Sequence, residues 1–267
     1  MTEWTIRAAA SGDLVLLAAL LPAPGQDASL LPAGDRERLF VAAHPGADAA
    51  GAIVGCVRVR PAIGRDRPRY WFHVGCAVHA APELGLFHQQ RTLVLGNDLT
   101  GAWEIADLAC DRTALDAAAQ QAVLRQLLRA ALAEIRRQRA EQAGCGEPGT
   151  TTVFCELPGV RDAAGQSAFW YSLGRHFYDG DPQLAAERHG PAWKTYVAAL
   201  LPREPLLVSF LSDAAQSALG APDASVALQA QLLHEAGFRR GRHVTIDDAG
   251  PVFEGEIDLL GARATAP

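Results

Sequence analysis

Leu124, Leu127, Leu128, Ala131, Leu132 and Ile135 recur at helical spacing, while Arg125, Arg129, Arg136 and Arg137 fall between them on the side left for water. That rhythm predicts a long amphipathic helix from about Asp116 to Ala143, ended by Cys145-Gly-Glu-Pro-Gly. Elsewhere the apolar runs are shorter. Trp4–Ala8 reads as a first strand, and Ser11 is placed to cap a helix through Leu21, where Pro22 and Pro24 stop it. Leu39–Ala43 and Ile53–Arg60 read as a strand pair joined by a polar loop. Tyr70–Val78 and Arg91–Leu95 add two more strands, and Glu104–Cys110 suits a buried central one. Thr151–Glu156 is a strong strand, followed by a helix at about Ser167–Leu173 before Gly174. Val226–Ala236 predicts a second clear helix, closed by Gly237. Arg242–Ile246 and Val252–Ile257 then form a hairpin across Asp247-Asp248-Ala249-Gly250. This order predicts an α+β (mixed α/β) fold, a mostly antiparallel mixed sheet flanked by helices with a helix-hairpin extension at its C-terminal end. No repeat or low-complexity linker divides residues 1–267, so a single domain is expected.

Composition narrows the class. With 49% hydrophobic and 20% charged residues the chain has an ordinary globular balance. A net charge of −6 offers a polyanion no general attraction, so nucleic acid is not an expected partner. Cys56, Cys76, Cys110, Cys145 and Cys155 are odd in number and form no C-x-x-C pair, which fits a reducing cytosol and a cytoplasmic location. The apolar run Leu14–Leu21 lacks a basic flank and is too short for a bilayer, so no membrane partner is expected and the run reads as a core helix. Lys194 is the only lysine, a bias we attribute to a GC-rich coding sequence. His73 and His79 lie six apart beside or in one strand, but two histidines do not make a metal site and no H-x-x-x-H pattern exists.

Four motifs give the chain a more specific likeness. They are Val78-His79-Ala80-x-x-Glu83-Leu84, Asn97-Asp98-x-Thr100-Gly101-x-x-Glu104, Ser167-x-Phe169-Trp170-x-Ser172-Leu173-Gly174-Arg175-x-Phe177, and Gly250-Pro251-x-x-Glu254. In this order and spacing the chain resembles the arginine N-succinyltransferase family, with the likeness running patchily from the first strand to about Ile257. The resemblance implies a GNAT-like acyltransferase fold and transfer of succinyl from succinyl-CoA to the α-amino group of L-arginine, or of ornithine in some members, in arginine catabolism. It implies acyl-CoA and L-arginine as small-molecule partners, succinyl-CoA as a co-substrate with no permanently bound cofactor, and a homo- or hetero-oligomer with a related subunit. On the CoA side it points to the main chain at Leu108 and to Arg112. On the arginine side it points to Asp98 and Glu104, with Asn97 and His79 beside them, because a guanidinium prefers planar carboxylate or amide partners. Read without the family, Leu108 is a core residue and Asn97-Asp98 an Asx-type turn.

Two stretches depart from the family pattern. The loop before the long helix, Asp111–Gln121, contains no glycine where active GNAT proteins carry a Gly-x-Gly turn for the CoA pyrophosphate. Its Thr113-x-x-Asp116 reads instead as a capping box. The family's Gly-Gln-Val-His-Pro stretch is replaced by Gly220-Ala221-Pro222-Asp223-Ala224, so Asp223 stands where the proton-transfer histidine is expected. An exposed aspartate is a weak base for an ammonium, and a cap before Val226 is the plainer role for it. No replacement catalytic residue is identified. Three readings therefore stand: an arginine N-succinyltransferase, a non-catalytic subunit or paralogue that pairs with an intact homologue, and an N-acyltransferase for another amine.

Overall fold

The structure, a computed structural model, describes residues 4–21, 32, 34, 36–44, 53–144, 150–190 and 192–261. The predicted stops at Pro22, Pro24 and Cys145–Gly149 lie outside the described residues. In chain order the elements are β1 (Thr5–Ala8), α1 (Leu14–Leu20), β2 (Arg38–Ala43), β3 (Ile53–Arg60), β4 (Trp71–Ala81), β5 (Leu86–Gly96), β6 (Trp103–Cys110) and α2 (Ala117–Gly144). They continue with β7 (Thr152–Glu156), α3 (Ala168–Ser172), α4 (Pro182–His189), α5 (Ala192–Ala198), β8 (Leu206–Leu207), α6 (Asp213–Ala218), α7 (Ala227–Glu235), β9 (Arg239–Val244) and β10 (Pro251–Glu256).

All ten strands join one sheet in the order β1-β2-β3-β6-β7-β10-β9-β4-β5-β8. Among the described pairings only β6–β7 is parallel, so the expected mostly antiparallel mixed sheet is observed. The C-terminal hairpin is central to it. β10 pairs with β7 and β9 with β4, so the last two strands join the two halves of the sheet. The turn between them is held against the exit of β7 by close main-chain contact. A Cβ on Gly159 would strike the Asp248 carbonyl, and one on Gly250 would strike the Leu157 carbonyl, so both positions require glycine.

α2 packs its Leu124, Leu127, Leu128, Leu132 and Ile135 stripe against Val57, Val59, Ile105 and Val153, and α7 closes the same core with Leu232 and Leu233. Each such fully buried side chain contributes on the order of 2 kcal/mol to the hydrophobic term. A second core gathers Phe72, Leu93, Phe169, Trp170, Trp193 and Val244 under α3 and α5. Leu17 of α1 is buried against Leu39, Val41 and Ile53.

Two capping expectations are corrected. Ser11 does not cap the first helix: Asp13 does the local work, accepting the Ala10 amide at 2.7 Å and the Arg7 guanidinium at 2.6 and 2.8 Å. Its charge is the stronger acceptor, and burial at 2% exposure secures the pair. Thr113 and Asp116 form no capping box. Asp116 alone accepts the Ala119 amide at 2.8 Å, while the Thr113 hydroxyl turns back to Asp111 at 2.7 Å. The predicted strands at Tyr70–Val78 and Arg91–Leu95 are longer than expected, because they run on as a two-stranded arm to the turn at Pro82–Gly85.

A split between β6 and β7 and the charged groups around it

β6 and β7 pair only at Trp103–Val153 and Glu104–Phe154 and then diverge toward their carboxyl ends. The cause is local. Asp107 takes φ 54°, and the register with β3 shifts between Cys56 and Arg58, a bulge that bends β6 away. The Arg58 guanidinium holds Asp107 there at 2.5 Å. Beyond the bulge, the Asp111 amide donates to Val54 of β3 at 2.8 Å. Alternation along the strand then turns the main-chain groups of Leu108 toward the split. The Leu108 carbonyl accepts from the buried Gln229 amide of α7 at 3.4 Å. Carboxyl ends of diverging parallel strands are the usual place for a ligand in open sheets.

The segment 220–229 touches the exits of both strands, Gln229 on Leu108 after β6 has split away and Asp223 on Pro158 beyond β7. Asp223 lies at the edge of the split, its amide donating to Pro158 at 2.9 Å and its carboxylate accepting the Ser225 amide at 2.8 Å. The Ser225 hydrogen bond holds Asp223 below the usual carboxylate range. Arg112 donates to the Ser225 carbonyl from the other side. The loop before α2 is folded on itself: the Asp111 carboxylate accepts the Thr113 amide at 2.8 Å and the Ala114 amide at 3.0 Å. Those hydrogen bonds keep Asp111 low as well.

A buried chain of charges runs from β6 to the β9–β10 turn. Glu104, 2% exposed, pairs with Arg69 at 2.8 Å and Arg60 at 3.1 Å. Burial works against its charge, but the two guanidinium groups outweigh that and lower its pKa to about 2. Arg69 also reaches Glu156 at 2.7 Å and lies over the Trp71 and Phe154 rings at 5.5 and 5.8 Å. Trp71 donates to the same Glu156 oxygen at 2.5 Å. Lys194 then sits 2.8 Å from Asp247 and 4.0 Å from Glu156, and Arg161 reaches Asp248 at 2.9 Å and Asp247 at 3.4 Å. Burial and the adjacent Asp248 push Asp247 up, whereas Lys194 and Arg161 overcome burial to hold Asp248 down. Across the sheet, His243 of β9 contacts Glu254 at 2.8 Å and Asp98 at 3.3 Å, with its ring against His73 at a centroid distance of 5.4 Å. Burial disfavours the charged ring, but the two carboxylates raise its pKa.

The sequence-predicted residues thus fall into three places. Leu108, Arg112 and Asp223 meet around the split through Gln229 and Ser225. Glu104 joins the buried charges, and Asn97-Asp98 forms the turn after β5, with Asn97 accepting the Thr100 amide at 2.9 Å and Asp98 beside His243. His79 lies far out on the arm opposite His88, while Gly96 is level with Trp71 at its root. Eight strand residues separate those rungs, about 26 Å. The sequence reading missed Arg69, Glu156, Lys194, Asp247, Arg161, Gln229 and His243. The single lysine was a usable signal, since the one Lys in the chain is the half-buried cation facing two buried aspartates. No group of three or more metal-ligating side chains occurs among the described residues.

The sequence family described as "Arginine N-succinyltransferase beta subunit" matches residues 25–262. The chain belongs to that family. It is 33% identical over 235 residues to the arginine N-succinyltransferase subunit beta of Pseudomonas aeruginosa, covering 86% of this chain and 64% of that protein. It is 31% identical over 232 residues to the arginine N-succinyltransferase of Salmonella paratyphi B, covering 87% of this chain and 63% of that one. The chain therefore spans a little under two thirds of the length of these curated relatives. In fold it is similar to the arginine/ornithine succinyltransferase subunit AI of Pseudomonas aeruginosa, with a TM-score of 0.71, 22% identity, and coverage of 99% of this chain and 80% of that structure. No described helix is long and apolar enough to cross a membrane.

Proposed function

We propose that this chain is an N-acyltransferase that moves succinyl from succinyl-CoA to the α-amino group of L-arginine. The observation that carries the reading is the β6–β7 split in a chain of this family, with Leu108 main-chain groups turned into it. The thioester carbonyl lies against the Leu108 N–H, which stabilises the oxyanion as the amine attacks. The new C–N bond forms, the C–S bond breaks and the sulfur leaves as the CoA thiolate, while the proton lost from the amine passes through solvent to that thiolate, so that amide and free CoA thiol are the products. Arg112 at the mouth of the split supplies positive charge to the CoA phosphates, exchanging its Ser225 contact for them. Asn97, Asp98 and Glu104 are retained as the arginine-side residues of the family reading, with Glu104 acting from within its Arg60–Arg69 pairings, whereas His79, about 26 Å out along the arm, does not share that ligand within one chain. The test is thiol release from succinyl-CoA on adding L-arginine, with mass-spectrometric detection of N-succinylarginine. Arginine-dependent release supports the reading, and its absence at saturating substrates opposes it.

A second reading has its own support: a subunit that depends on an intact homologue for catalysis. The Thr113 and Ala114 amides are taken by Asp111, and Asp223 stands capping in the histidine's place. Activity that appears only on adding a full-length family member would favour it.

A further inference from the structure

We infer that Lys194, flanked by Arg69 and Arg161, is a carboxylate-binding residue that holds the carboxylate of a substrate beside the β6–β7 split. Both substrates of the acyl transfer proposed above, on which this inference rests, carry a carboxylate that the reaction leaves intact. One is the α-carboxylate of the acceptor amino acid, the other the free end of the succinyl group. Each needs a cation close to the reacting atoms but apart from them.

Strand register places Lys194 there. β6 and β7 last pair at Glu104 and Phe154. Glu156 follows two residues later on the same face, with Val252 of β10 opposite it and no β6 residue on its other side. It stands where the split is open. Arg69 approaches Glu156 at 2.7 Å and Lys194 at 4.0 Å. Arg161 completes the group: its amide faces the Asp223 carboxylate at 3.5 Å, and its guanidinium reaches Asp248 at 2.9 Å. Residues 69, 161 and 194 thus converge on the β7 side of the split from three separate segments.

Burial separates the two signs of charge. The side chains of Glu104, Asp247 and Asp248 are 3, 10 and 6% exposed, whereas those of Arg69, Arg161 and Lys194 keep 24, 27 and 27%. The surface offered to a ligand is therefore positive, with carboxylates behind it. Those carboxylates balance much of the positive charge, which suits a singly charged carboxylate better than a phosphate dianion. Lys194 is the cation best placed to bind. Its ammonium carries three N–H donors; Asp247 at 2.8 Å accounts for one, and Glu156 at 4.0 Å is beyond hydrogen-bond reach. Burial lowers its pKa, but Asp247, Glu156 and Asp248 more than offset that and raise it to about 12, so the ammonium is charged at neutral pH.

The full chain labelled with [13Cε]lysine gives one lysine NMR signal, because Lys194 is the only lysine. Titration to about 5 mM compares L-arginine with agmatine, which lacks the carboxylate, and succinyl-CoA with acetyl-CoA, which lacks the succinyl carboxylate. In one pair the carboxylate-bearing member should shift the signal saturably, at a concentration at least about 10-fold lower than its analogue does. The arginine pair assigns the contact to the acceptor, the CoA pair to the donor. A signal that neither pair resolves in this way overturns the inference. Thiol release with an unresponsive Lys194 overturns it and leaves the transfer reading standing; a responsive Lys194 without thiol release upholds it and counts against transfer. In K194M the KM for the assigned substrate should rise at least about 10-fold, with that for the other substrate within about 2-fold and K194R restoring part of the loss. Should K194M fail to fold for want of a partner to Asp247, the wild-type titration still decides.

Discussion

Replacing Glu104 with glutamine tests the buried charge chain in a way that can be worked through. The side chain keeps its shape but loses the charge that Arg69 and Arg60 approach at 2.8 and 3.1 Å. The folded chain lowers this carboxyl from 4.5 to about 2. At 1.36 kcal/mol per pKa unit, the charged form contributes about 3 kcal/mol at neutral pH. That agrees with the cost, roughly 3–5 kcal/mol, of breaking one side of a buried pair. Because the folded value lies below the unfolded one, this stability is complete above pH 4.5 and is lost as pH falls toward 2. By the same arithmetic only about 1 kcal/mol remains at pH 3. Urea denaturation of wild type and E104Q at pH 7 should therefore give unfolding free energies separated by about 3 kcal/mol, with Tm lower by roughly 6–12 °C in the variant. The gap should narrow by at least half as pH drops to about 3. A neutral gap below about 1 kcal/mol, or one that does not shrink in acid, would refute the reasoning.

Other expectations follow from single contacts. Gly159→Ala drives a methyl into the Asp248 carbonyl and should cost about 1–3 kcal/mol or more by chemical denaturation. Asp223→Ala should lose about 1 kcal/mol of stability because the Ser225 amide loses its acceptor, whereas Asp223→Asn should stay within about 0.5 kcal/mol of wild type. The His243 imidazole should titrate above its ordinary value in an NMR titration, and Glu254→Gln should bring it down. Since that pKa is raised, the stability it contributes is present below the unfolded value and lost as pH rises through the folded one.

Long periodic segments were the most legible part of the chain. The stripe from Leu124 to Ile135 sets α2 within a residue of its observed ends, because one buried face determines it. The arm was read too short at both strands, since its outer residues bury no face and leave no alternation to read. Motif residues located the split but not its neighbours. Asp247-Asp248 reads as a turn in sequence, and only the crossing at Gly159 and Gly250 brings it to Lys194 and Arg161. Glu104 was identified by type, yet its partners Arg60 and Arg69 come from β3 and the following loop, a pairing that sequence separation conceals. Asp223 was legible in full as a helix cap, because capping depends on local spacing alone.

Whether the split accepts a thioester is best measured by calorimetric titration of the full chain with succinyl-CoA, alongside Arg112→Ala. The account predicts saturable binding in the micromolar range for the wild type and at least about 10-fold weaker binding for the variant. Absence of binding at about 1 mM succinyl-CoA, or binding indifferent to Arg112, would contradict it.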